Sequence, residues 1–203
     1  MNMTRRLIPA ALVLLVLPAV AWGITEQKTG TEYPDQITVA VGDREVVMNA
    51  TGAGLREKTF LKVDVYTIVS YVAEDAALGE ATPGLSLCKL QQPKQLQMDL
   101  RRSFSREKLI GAFVEVIEKN YDDLSGIAAD METFAGYFTR DAQDGDVIIF
   151  EYAPGIGLTT ILNGEVSGVI QNPDFAEALW TVWFGKKSAN DGLKKDLLSL
   201  LKS

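Results

Sequence analysis

The stretch from Phe60 to Val72, FLKVDVYTIVSYV, constrains this chain more than any other. Apolar residues alternate at Leu61, Val63 and Val65 and then run on almost unbroken. β-Branched and aromatic side chains at this density favour extended backbone. The pattern predicts one long strand, half-exposed early and buried late.

The neighbouring segments supply partners for it. Gln36 to Val41 and Glu45 to Met48 are rich in β-branched residues, and Gly42-Asp43 between them signals a hairpin. Gly52-Ala53-Gly54-Leu55-Arg56 then reads as a glycine-rich turn. After a break from Ala73 to Pro83, Leu85 to Leu90 fits either element type. Lys94 to Arg101 alternates, with Leu96, Met98 and Leu100 on one face of a strand.

From there the period becomes helical. Ser105 can cap a helix carrying the stripe Leu109, Phe113, Val116, Ile117 and Tyr121, and Ile127, Met131, Phe134 and Phe138 mark a second. Strands return at Val147 to Tyr152, Leu158 to Leu162 and Glu165 to Ile170, the last two joined by Asn163-Gly164. Asn172-Pro173 opens a helix that ends at Gly185, and Asn190 or Asp191 starts a last one through Leu193, Leu197, Leu198 and Leu201. The order predicts an α+β domain, an antiparallel sheet with helices on one side.

Met1 to Gly23 has a different character. Arg5 and Arg6 precede the apolar run Leu7 to Val20, and Ala21-Trp22-Gly23 follows. This is the pattern of a secretory signal peptide, cut after Gly23 or, as second choice, after Ala21. The run is too short for a comfortable membrane span. The expected organisation is therefore a signal peptide at 1–23 and a single domain over 24–203, in a periplasmic or secreted protein without a transmembrane segment.

The net charge of −7, or −9 once the two leader arginines are gone, argues against nucleic acid and against an anionic membrane surface. No histidine occurs, which removes the commonest general base and metal ligand. Cys88, the lone cysteine, has no internal disulfide partner and fits a buried thiol better than an intermolecular bond. No metal or cofactor motif stands out. Asp141, Asp144 and Asp146 lack the remaining ligands of a calcium loop and read as a solvated turn.

Arg56 is the first candidate for chemistry, because its guanidinium fork suits carboxylate or enolate oxygens. The alternative is a surface arginine closing a loop against Glu57 or Asp64. Tyr66 and Tyr71 can each keep the ring in a core and offer the hydroxyl to a ligand; Thr67 and Ser70 are weaker hydroxyl candidates. Trp180, Trp183 and Phe184 crowd one helix, where one of them can line a cavity while the others pack.

Gly52-Ala53-Gly54-Leu55-Arg56, Phe60-Leu61, Val65-Tyr66 and Tyr71 together resemble the chalcone isomerase-like family, in particular its non-plant and fatty-acid-binding branches. The resemblance continues through Pro93-Lys94, Gly145 to Tyr152, Pro154-Gly155, Asn163-Gly164, Phe175 and Trp183-Phe184-Gly185. It implies an open-faced β-sandwich, a long curved antiparallel sheet with helices packed on one face and a ligand cleft between the layers. In the plant enzymes of this fold an arginine steadies the enolate formed as a phenolic chalcone closes, and Arg56 falls at that place. Tyr66 falls where those enzymes carry a hydroxyl residue, and tyrosine there is the fatty-acid-binding pattern. Other enzyme positions differ: Leu109, Glu115-Val116 and Val182 stand where the resemblance implies tyrosine, asparagine and threonine.

These readings favour a non-catalytic binder of a small apolar carboxylate or phenolic ligand, with Arg56, Tyr66, Tyr71 and Trp183 at the site. Two alternatives stand beside it. One is a chalcone isomerase-type lyase acting on a phenolic or enone substrate, with Arg56 its catalytic residue. The other is an envelope scaffold, which predicts a cleft filled by side chains.

Overall fold

The computed structural model describes residues 23–58, 63–79 and 82–201. Seven strands form one sheet in chain order: β3 (Gln36–Val41), β4 (Arg44–Lys58), β5 (Val63–Ala73), β6 (Lys94–Leu100), β7 (Val147–Ala153), β8 (Gly157–Leu162) and β9 (Glu165–Ile170). Every pairing is antiparallel. A short ribbon of β1 (Gly23–Thr25) and β2 (Glu32–Pro34) stands apart. The helices are α1 (Pro83–Lys89), α2 (Arg106–Asn120), α3 (Ala128–Gly136), α4 (Pro173–Phe184) and α5 (Asp191–Leu197). The sheet is curled and carries its helices as the α+β pattern predicts.

Side-chain alternation assigns the two faces. Tyr66, Ile68 and Val72 of β5 join the main core under the helices, as do Leu96, Met98 and Leu100 of β6. Val69 and Tyr71 point to the other face, into a smaller cluster with Tyr33 and Met48. The helix most embedded in the core is α4, with Phe175, Leu179, Trp180, Trp183 and Phe184 all buried. The rings of Phe113, Phe134, Phe150 and Trp183 meet with centroids 5.7 to 5.9 Å apart, the spacing of tilted and edge-on aromatic contacts. Ser105 caps α2 and Asn172 caps α4, each by accepting a backbone N–H.

Two sequence expectations change. The expected turn at Gly52 to Arg56 is instead the middle of β4, which runs unbroken from Arg44 to Lys58. The glycines are there for close approach. A Cβ on Gly52 would lie 2.1 Å from the carbonyl oxygen of Asp196, and one on Gly54 would lie 2.7 Å from Leu193 Cδ1. The end of the chain lies directly on the strand: Thr51 donates its hydroxyl to the Leu197 carbonyl (2.8 Å), and Leu200 N–H donates to the Thr51 carbonyl (2.9 Å). The last helix correspondingly stops at Leu197, and the chain continues as turns to Leu201.

Leu85 to Leu90, open between helix and strand, is mostly helix α1. Phe60 and Leu61, the start of the expected long strand, and Met1 to Trp22 of the expected signal peptide lie outside the described residues. No helix among the described residues is long and apolar enough to cross a membrane.

Candidate ligand cavity

In the β4–β5 pairing Arg56 stands directly opposite Tyr66. Strand pairing puts directly opposite residues on the same face of a sheet, so both side chains come to the helix-facing side, where α2 crosses above. Between them lies a cavity of about 330 Å³. Val65, Met98, Phe104, Leu109, Phe113, Val116 and Val182 give it an apolar wall; Arg56, Lys58, Lys108, Lys119 and Glu115 supply its charge. The volume is at the lower end of the range for small-molecule sites, and an apolar wall with few polar groups is their usual make-up.

Tyr66 is the polar group set deepest in this wall. It is 8% exposed and its oxygen accepts a hydrogen bond of 3.0 Å from Trp183 Nε1, which is buried behind it. Burial pushes the phenol up to about 12; the Trp183 N–H and the Arg56 charge oppose this only in part. The hydroxyl is therefore protonated at neutral pH. Its oxygen is occupied by the indole, so its own proton remains to be donated to an acceptor in the cavity. Arg56 gives one N–H to the backbone carbonyl of Glu57, which fixes the guanidinium beside Tyr66.

The sequence-predicted residues thus separate into two groups. Arg56 and Tyr66 line the cavity, and Trp183 supports it from behind without lining it. Tyr71 does not join them. It lies on the opposite face of the sheet, because five residues along a strand reverses the side, and its hydroxyl donates to the Pro34 carbonyl (3.0 Å). Thr67 is on that far face too, accepting from the Tyr33 hydroxyl at 2.8 Å, while Ser70 is buried away from the cavity. Trp180 and Phe184 are core.

The acidic turn is held by hydrogen bonds. Asp146 accepts from both terminal nitrogens of Arg140 (2.8 and 2.9 Å), from Gln143 N–H and from Asn163 Nδ2, and the first of these contributes most to holding its carboxyl down at about 2. Among the described residues no cluster of acidic or cysteine side chains is arranged to hold a metal. A larger hollow of about 520 Å³ lies beside this turn, lined in part by Asp141 and Asp146 but by none of Arg56, Tyr66, Tyr71 and Trp183.

Sequence reasoning overlooked Lys58, Lys108 and Lys119 at the cavity. The signal was present for two of them: Lys108 and Lys119 are three helical turns apart, flanking the buried stripe of α2. It also passed over Lys94, which shares the inward phase of Leu96, Met98 and Leu100 and is buried in the core.

The comparisons agree with this architecture. The family model described as chalcone isomerase-like matches residues 25–199. A crystal structure of a fatty-acid binding protein from Arabidopsis thaliana superposes with a TM-score of 0.67 at 18% identity, covering 87% of this chain and 96% of that one. No curated protein sequence matches the chain. A match over nearly the whole described domain, with the same curled sheet and helical layer, makes this chain a member of the chalcone isomerase-like family.

Proposed function

We propose that this protein is an exported, non-catalytic binder of a small apolar ligand bearing a carboxylate or phenolate. One observation carries the reading: Trp183 occupies the Tyr66 oxygen, so the hydroxyl proton is free to meet an anion beside Arg56 at an apolar cavity. Arg56 supplies charge, Tyr66 a neutral donor, and the wall from Met98 to Val182 takes the tail. The fatty-acid binding protein with the same fold fits this reading.

The filling of the remaining wall supports binding over ring closure. Leu109, Val116 and Val182, which replace the enzyme-type polar residues, all face the cavity and offer no group to polarise a ketone. An envelope scaffold would have side chains in this space, and a cavity is there instead.

Titration with decanoate, followed by tryptophan fluorescence or calorimetry, tests the reading. Arg56→Ala and Tyr66→Phe should each weaken binding about tenfold or more, the range for a hydrogen bond to a charged group. Equal affinity in wild type and both variants would remove the anchor role. Turnover of a chalcone above buffer background that depends on Arg56 would favour the lyase instead.

A further inference from the structure

The cavity holds more positive charge than one carboxylate requires. Arg56, Lys58, Lys108 and Lys119 line it, and Glu115 is the single carboxylate among its described lining residues. Glu115 is already paired with Lys119 one helical turn away. This concentration occurs in a chain whose net charge is −7.

Solvation of a helix surface explains such lysines poorly here. An acidic protein gains solubility from its excess negative charge. Lys108 also sits in the first turn of α2, where the helix dipole disfavours a cation. It makes no ion pair with a carboxylate among the described residues. A monoanion held by Arg56 and Tyr66 would leave Lys58 and Lys108, which make no ion pair with a carboxylate among the described residues, without an opposite charge at the cavity.

We propose, building on the anion-anchored reading of this cavity, that its ligand is a single-chain amphiphile whose headgroup carries two negative charges, as a phosphate monoester or a dicarboxylate does. Arg56 and Tyr66 hold one oxygen of the headgroup at the wall. Lys58 and Lys108, from the end of β4 and the start of α2, close on the second charge at the mouth. The tail lies along Met98, Phe113 and Val182.

Four probes with the same decyl tail test this at pH 8: decyl phosphate and decylmalonate with two charges, decyl methyl phosphate and undecanoate with one. The two dianions should bind about tenfold tighter than the monoanions at low ionic strength, and the advantage should shrink at about 0.5 M salt. Lys58→Gln together with Lys108→Gln should abolish the advantage, weakening both dianions about tenfold more than the monoanions. A preference for only one of the dianions assigns the headgroup to phosphate or to dicarboxylate. Equal affinity for all four, or an advantage that survives in the double variant, overturns the dianion inference and leaves the binder reading in place. If none of the four binds, both fall.

Discussion

At the residue scale, the most unusual side chain lies outside the cavity. Lys94 is buried in the main core, donating to the carbonyls of Leu87 (2.9 Å) and Cys88 (2.8 Å) at the end of α1. Its ammonium also lies over the rings of Trp180 (4.8 Å) and Tyr152 (5.2 Å). Burial pushes it down to about 7, and the nearby Cys88 sulfur and Glu177 carboxylate oppose this only weakly. A lysine whose folded value lies below its unfolded one destabilises the fold most at low pH, where both states are protonated. That penalty is relieved as pH rises from about 7 towards the unfolded value, because the unfolded chain then holds the extra proton. Urea-unfolding free energy should therefore climb by about 1 kcal/mol per pH unit between pH 7 and 9. Lys94→Met should flatten that slope; a wild-type profile already flat over this window would show that the carbonyls and rings fully stabilise the cation. Residue type alone singled out Arg56 and Tyr66 as suited to an anion, and the fold brings both to one cavity. Lys94 was legible in phase alone, and a charged residue on an inward phase contradicts the usual expectation that lysine stays exposed.

Among the elements, the sequence conveyed helices and hairpins well, since caps, turn dipeptides and periodicity are local properties. The boundaries of β7, β8, β9 and α4 lie within a residue or so of the expected ones. β4 was hidden for the opposite reason. Glycine serves a turn or a close contact equally, and only the return of α5 from the far end of the chain decides which. Tyr71 was misplaced by a related ambiguity: a strand buried on both faces has no polar side to set its phase. The packing role of Gly52 has a sharp consequence. Gly52→Ala must push α5 off β4, and should cost about 3 kcal/mol or more in urea unfolding. Gly164→Ala, at the β8–β9 turn with open space around it and a backbone φ of 84°, should cost about 1 kcal/mol. Similar losses at both sites would rule out close approach as the reason for Gly52.

For the whole molecule, the proposed export sets where the mature chain should begin. Ile24 of β1 pairs with Tyr33 and packs on the far-face cluster, whereas the apolar run Leu7 to Val20 has the composition of a leader. Intact mass of protein from a cell envelope fraction should show a chain starting at Ile24 or Trp22. A full-length mass beginning at Met1 in that fraction would contradict cleavage.

The order of strands in the sheet repeats their order in the chain, and this shapes how the fold is reached. Most neighbours are joined by a tight turn or one short excursion, so they can meet early and at little entropic expense. The β6–β7 pairing is different, because it must close a loop containing both α2 and α3. The clasp of α5 on β4 joins residues 146 positions apart, Thr51 and Leu197. Assembly is thus governed by a few long-range closures on locally formed hairpins. The cavity, roofed by α2 and backed by α4, exists only once those closures are complete.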